Sequence, residues 1–192
     1  MLNHRGTVAI NTERLMLRRF TADDAGSVYK NWAGDGEVCT YMRWHPHRDV
    51  EETKGVIKGW VDAYEKKDHY QWAITLKGND EPIGAIGLFV VNEGDLCMET
   101  AYCIGREYWG QGITSEAHAA VVAFAFRELG CNRVESYHSV NNPASGKVMQ
   151  HAGMVFEGVA RQKYRSISGF EDSAMYAILK EDFDRRTKES RV

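Results

Sequence analysis

The stretch Trp109-Gly110-Gln111-Gly112-Ile113-Thr114 has the makings of an anion cradle. It lies between a predicted strand, Leu96–Ile104, and an apolar-striped helix predicted over Ser115–Leu129. A glycine turn that leaves a strand and opens a helix turns several backbone N–H groups toward one point, and the helix dipole adds partial positive charge there. Phosphate or pyrophosphate is the usual ligand, although the same spacing also suits a plain tight connection. The third glycine of the dinucleotide fingerprint is missing, and no Gly-Lys-Ser/Thr closes the turn. That excludes a dinucleotide held in that way and a P-loop nucleotide. Glu99 is the second group with chemistry to offer. Regular alternation places it on one side of its strand with Cys97, Ala101 and Cys103. Small, weakly polar neighbours desolvate a carboxylate and raise its pKa toward the range of a general base. A surface glutamate on a strand edge is the alternative. Asn142-Pro143 starts a helix, with asparagine as cap, proline at the first helical position and Ser145 in the first turn.

The elements that must position these groups read in order along the chain. Residues 1–12 form an irregular lead-in, and Glu13–Phe20 alternates as a strand. Thr21 and Asp24 resemble a capping box for a helix to about Trp32, which Gly34-Asp35-Gly36 breaks. Glu37–Met42 reads as a short helical turn. Asp49 caps a second helix that runs to about Lys66. A meander of Tyr70–Leu76, Ile83–Val91 and Leu96–Ile104 follows. After the glycine turn and its helix, which Gly130 closes, come a strand at Arg133–Val140 and a short helix to Gly153. Two last strands, Val155–Lys163 and Ser173–Leu179, are separated by a polar loop. Trp32, Trp60, Trp72, Phe124 and Phe126 read as core. The order predicts an α/β (α+β) fold: a single mixed, mostly antiparallel sheet of six to seven strands with helices on both faces.

Composition narrows the function classes. At 192 residues the chain is one domain by length, with a core over 13–180. A net charge of −3 offers no electrostatic case for nucleic acid. No apolar run reaches the length of a membrane span. The four cysteines, Cys39, Cys97, Cys103 and Cys131, form no C-x-x-C pair, so they read as reduced thiols of a cytoplasmic protein. His45 and His47 flank Pro46 without a third ligand, and no metal site is expected.

Three segments together, in their order and spacing, resemble the GNAT-type N-acetyltransferases, and within them the RimJ/RimL-like branch of ribosomal-protein N-terminal acetyltransferases. They are Glu99-Thr100-Ala101-Tyr102-Cys103-Ile104 running into Tyr108–Gly112, Asn142-Pro143-Ala144-Ser145, and Ala152-Gly153-Met154-Val155-Phe156-Glu157-Gly158. The resemblance begins at Thr12-Glu13-Arg14-Leu15-Met16-Leu17-Arg18 and covers nearly the whole chain. It implies transfer of the acetyl group of acetyl-CoA to a primary amine by direct attack, without metal or acyl-enzyme. The acceptor stays open between a protein N-terminus and a small-molecule amine. A non-catalytic acyl-CoA-binding module on the same fold is the alternative. The resemblance assigns the pyrophosphate to the amides of Trp109, Gly110, Gln111, Gly112, Ile113 and Thr114. It assigns the pantetheine arm to a gap between two splayed parallel strands, with contacts from Tyr102, Cys103, Ile104 and Asn142. A backbone N–H near Tyr102 or Cys103 would meet the oxyanion. Glu99 would be the base, and Ser145 would protonate the departing thiolate, with Tyr137 and Tyr164 as competing donors. Tyr41, Trp44, His45, Pro46, His47 and the segment Arg161–Tyr164 would wall the acceptor. The family pattern prefers Arg or Gln three residues before the first glycine. Here that position is Glu107, leaving Arg106 as a weaker contributor. A homodimer is the commonest assembly open to such a chain.

Overall fold

The protein is described by a computed structural model over residues 1–189. Eight strands form one sheet: β1 (Ile10–Asn11), β2 (Leu15–Arg18), β3 (Tyr70–Leu76), β4 (Asn79–Asn92), β5 (Cys97–Ile104), β6 (Arg133–Ser139), β7 (Val155–Ser166) and β8 (Gly169–Leu179). Their order is β1-β2-β3-β4-β5-β6-β8-β7. Each neighbouring pair is antiparallel except β5 and β6. The exception follows from the connection. β2 to β5 are antiparallel neighbours. β5 reaches β6 only through helix α4 (Ile113–Phe124) and its wider last turn Ala125–Leu129, and a crossover of that kind returns the chain in the same direction. Gly130, at φ 72, ends that helix in the left-handed conformation.

The helices divide the core between the two faces. On one face α4 and α5 (Pro143–His151) cover Trp72, Ile74, Ile86, Met98 and Val134. On the other face, α1 (Ala25–Val28), with its flanking turns Ala22–Asp24 and Tyr29–Ala33, packs with α3 (Val50–Ala63) over Ala73 and Ala85. The short α2 (Gly36–Cys39) lies between them in sequence. Asp49 caps α3 as expected, its carboxylate accepting from the Glu52 N–H at 2.9 Å. Asp24 accepts from the Thr21 N–H at 2.7 Å and is held by a two-pronged Arg18 guanidinium at 2.8 Å. No helix of the described residues is long and apolar enough to cross a membrane.

The structure departs from the sequence reading in three places. The lead-in contributes β1, which pairs Ile10 and Asn11 with β2. The polar loop expected before Ser173 is paired strand: β7 and β8 form one hairpin closed by residues 167–168, with irregularities at 156–158 and 160–164. Its polar residues satisfy one another, because the Glu171 carboxylate accepts from Ser139 Oγ at 2.6 Å and Ser166 Oγ at 2.8 Å. Helix α6 (Lys180–Glu189) lies beyond the predicted core. Its large apolar anchor is Phe183, stacked 5.0 Å from Phe126, too little to give a readable period.

One buried pair ties α4 to the strand that carries Glu99. His118 Nε2 lies 2.9 Å from Thr100 Oγ1, and burial lowers the imidazole pKa to about 4. A histidine kept neutral in the folded chain but free to protonate when unfolded stabilises the fold fully above its ordinary pKa of 6.5, and that stabilisation is lost as pH falls toward 4. Urea titrations at pH 7 and pH 4.5 should show this loss, and it should be smaller in His118→Leu after allowance for the variant's lower baseline stability.

Candidate active site

β5 and β6 pair through Cys97 with Arg133, Met98 with Val134 and Glu99 with Glu135, and then part. Beyond that point β5 stays on β4 as far as Ile104, and β6 stays on β8 as far as Ser139. Ser136 Oγ donates to the Thr100 carbonyl at 2.9 Å and closes the apex of the gap. Alternation decides which backbone groups face the opening. The Gly105 N–H bonds the Ile83 carbonyl at 2.9 Å, so odd-numbered residues here turn toward β4. Tyr102 therefore turns its N–H and C=O into the gap, and Cys103 does not. The Ile104 carbonyl on the gap side is taken by the Trp109 indole Nε1–H at 3.0 Å.

A cavity of about 250 Å³ fills the gap, with Glu99, Tyr102, Tyr137, Asn142, Ser145 and Tyr164 on its walls. Glu99 has no hydrogen-bond partner among the described residues. Burial raises its carboxyl pKa. Lys163 opposes that shift, Glu135 adds to it, and Arg43 opposes it again, with burial prevailing. Tyr102 reaches across the gap: its phenol donates to the Ser145 carbonyl at 2.9 Å and shares a bond of 3.0 Å with Ser145 Oγ. Burial holds the phenol pKa above its usual range. The Tyr137 hydroxyl accepts from Arg43 Nη2 at 2.7 Å. Asn142 departs from expectation, since its side chain makes no cap bond at the start of α5. Its backbone N–H bonds the Ser139 carbonyl at 2.8 Å, and the residue lines the gap.

The glycine turn stands at the open end of β5. Gly110 and Gly112 have φ of 74° and 73°, the left-handed region that only glycine enters freely. α4 starts at Ile113, two residues before the sequence reading placed it, with Gly112 as its cap. The first bond of that helix is Glu116 N–H to the Gly112 carbonyl at 3.0 Å. Among the described residues, no backbone acceptor outside the turn takes the N–H groups of residues 110–115. The side of the turn away from these amides is braced by Arg14, which donates to the Gln111 carbonyl at 3.0 Å and to Glu116 at 2.6 Å. Arg106 is not available to an anion. It is bound to Asp35 and Glu37, each at 2.6 Å. Arg14, quoted only as part of an N-terminal motif, is the cation that sequence reasoning passed over, because its partners lie about a hundred residues away.

The acceptor walls are revised as well. Tyr41 and Trp44 line the gap cavity. The Tyr164 hydroxyl donates to the Tyr41 carbonyl at 2.9 Å, and burial raises its pKa to about 12, so it pins the loop and is a poor proton donor. His45 is exposed and lines neither cavity. His47, also expected on the wall, faces a second, apolar cavity with Nδ1 2.9 Å from Thr53 Oγ1. That cavity shares Met42, Trp44, Ala101 and Tyr102 with the first. Trp32 and Trp60, read as core, form part of its wall. No group of three or more metal-ligating side chains occurs among the described residues.

The sheet thus has one parting parallel pair, a glycine turn at its open end and a desolvated carboxylate at its apex. The chain belongs to the GNAT acetyltransferase family: the model described as "Acetyltransferase (GNAT) domain" matches residues 14–155. It is 30% identical over 172 residues to the uncharacterized N-acetyltransferase p20 of Bacillus licheniformis, spanning 90% of this chain and 96% of that one. It is 25% identical over 129 residues to the ribosomal-protein-serine acetyltransferase of Escherichia coli, 67% of this chain and 71% of that one. The structure of RimL, a ribosomal L7/L12 alpha-N-protein acetyltransferase in complex with coenzyme A, matches with a TM-score of 0.79 at 19% identity. That match covers 90% of this chain and 98% of that one, and at such identity it speaks for the fold. The protein is an N-acetyltransferase.

The bonds of Tyr102 to Ser145 connect strand and helix across the gap. Tyr102→Phe should therefore cost about 1 kcal/mol and lower the melting midpoint by roughly 2–4 °C, measured by thermal denaturation.

Proposed function

We propose that the protein transfers the acetyl group of acetyl-CoA to a primary amine, with Glu99 as general base. The observation that supports this reading above the rest is the position of Glu99: desolvated, without a hydrogen-bond partner among the described residues, at the apex of the gap and on the wall of its cavity. Bound acetyl-CoA supplies an activated thioester. The Trp109 N–H expected in the cradle is spent on the Arg106 carbonyl at 3.0 Å, so the free amides of Gly110–Thr114 hold the pyrophosphate by geometry and dipole, without a basic side chain. The unpaired C=O of Tyr102 and the N–H of Ile104 meet the pantetheine arm as a neighbouring strand would, and Cys103 contributes only through its place in β5. The Asn142 side chain, free of capping, lines the same path.

The amine must be neutral to attack. Its nitrogen bonds to the acetyl carbon, the carbon–sulfur bond breaks, and Glu99 takes the proton that nitrogen sheds. The Tyr102 N–H donates to the carbonyl oxygen as negative charge develops there. Ser145, held by Tyr102, returns a proton to the sulfur, and Tyr137 is the other hydroxyl on the wall. Holding both reactants in one gap supplies much of the rate.

Isothermal calorimetry should show coenzyme A binding at sub-millimolar concentration. Gly112→Val should weaken it by about tenfold or more, because valine resists the left-handed backbone that aims the amides. Arg106→Ala should leave it within about twofold, since losing its two ion pairs, to Asp35 and Glu37, does not touch the cradle. No binding to the parent protein overturns the donor assignment.

Glu99→Gln should lower kcat by about a hundredfold with KM little changed. A protonated Glu99 cannot accept a proton, so parent activity should fall as pH drops through a pKa above the ordinary carboxylate value, and that limb should vanish in Glu99→Gln. An unchanged rate and pH profile would show that Glu99 is not the base.

A further inference from the structure

The apolar cavity beside the gap is a recognition surface that acetyl transfer alone does not use. It measures about 320 Å³ and is walled chiefly by Trp32, Trp44, Trp60, Phe89, Met42 and Val56. That volume suits one compact organic group. No aspartate or glutamate lines it. The charges nearest Glu99 are also unfavourable to a second ammonium. Arg43 lies 4.9 Å over the Tyr164 ring, Lys163 lies 4.7 Å over the Tyr137 ring, and both act electrostatically on Glu99. A polycation filling this cavity would lose its water and find no carboxylate on its wall, and beside Glu99 the charges of Arg43 and Lys163 oppose that of Glu135.

Three polar side chains interrupt the apolar wall: His47, held at Nδ1 by Thr53, Tyr102, whose hydroxyl is bound to Ser145, and Gln71. Gln71 lines the cavity and is 8% exposed. Its backbone N–H and C=O are bound to Thr7 at 3.1 Å and Tyr64 at 2.8 Å, but its side-chain amide has no hydrogen bond among the described residues. The neighbouring strand makes room for it. A Cβ at Gly87 would come within 2.8 Å of Gln71 Oε1 and 2.7 Å of Phe89 Cζ. An amide that faces the cavity without a protein partner is open to hydrogen-bond a ligand there.

From these observations we infer that the acceptor is a primary amine bearing a neutral aromatic group, which fills the tryptophan-walled cavity and presents a hydrogen-bonding edge to Gln71. The inference rests on the reading of Glu99 as the base that faces the acceptor nitrogen. Polyamines and aminoglycosides are excluded by the same wall.

The test is thiol release from acetyl-CoA by the purified full-length protein with phenethylamine, its hydroxylated analogue tyramine, butylamine and spermidine. The expected kcat/KM for phenethylamine exceeds that for butylamine by about tenfold, from the extra apolar area buried. Tyramine should gain a further fivefold or so through Gln71. Gln71→Leu should erase the tyramine advantage and keep the preference for phenethylamine over butylamine. A merely structural Gln71 would lower all four amines alike, which overturns its recognition role. Val56→Asp, on the exposed side of α3, should move the ratio toward spermidine.

Spermidine or butylamine equal to the aryl amines in the parent protein overturns the inference while acetyl transfer stands. Coenzyme A binding without thiol release to any of the four amines also overturns it. Absence of coenzyme A binding instead overturns the donor reading beneath it. Faster turnover with octanoyl-CoA than with acetyl-CoA, the aryl advantage then disappearing, assigns the cavity to the acyl chain and overturns the inference.

Discussion

The parallel pairing of β5 with β6 ends at Glu99 and Glu135, and the architecture of the site depends on that limit. Each strand is anchored on its outer side, β5 by β4 and β6 by β8, so both continue as strands after they separate. The separation strands backbone donors and acceptors inside the protein, which a folded chain does not leave unmet without cost. Side chains recover part of it: Ser136 takes the Thr100 carbonyl, and the Trp109 indole takes that of Ile104. What stays open, above all the N–H and C=O of Tyr102, is the edge of a strand waiting for a neighbour. Tyr102 closes the structure on the far side by bonding Ser145, so the gap is bridged without being filled.

The electrostatic plan follows from the same geometry. The glycine turn lies at the open end of β5 and the Glu99 carboxylate lies at the closed apex, so the two stand at opposite ends of one gap. Placing Glu107 and Arg106 ahead of the turn does not disturb this, because Arg106 is consumed by Asp35 and Glu37. Arg14 braces the turn from behind through Gln111 and Glu116. The direction of the turn's backbone N–H groups is fixed by two glycines at positive φ.

The two faces of the sheet divide the remaining work. The α4 and α5 face is packed and carries the bond between His118 and Thr100. The α1 and α3 face is less completely filled, and its aromatic residues enclose space as well as volume. An aromatic residue on that face can be core and binding wall at once. Trp32 is 2% exposed and still borders the cavity.

Much of this was legible along the chain because it is local. The Asp49 cap, the strand Tyr70–Leu76, the glycine turn and the side of β5 that carries Glu99 all follow from residue types within a few positions of one another. The hairpin of β7 and β8 was only half legible, since Ser166 and Glu171 read as loop until Ser139 supplies their partner. α6 was illegible because it buries little beyond Phe183. The sequence by itself determined the meander, the crossover helix, the amide cradle and the candidate base, through periodicity and the conformational needs of glycine. Only the tertiary structure decided that Arg106 is spent, that of the two loop histidines His47 lines a cavity and His45 does not, that Tyr102 and not Cys103 turns its amide into the gap, and that three tryptophans wall a cavity. Those outcomes depend on contacts between residues far apart in the chain, and no local pattern encodes which partner a side chain finds.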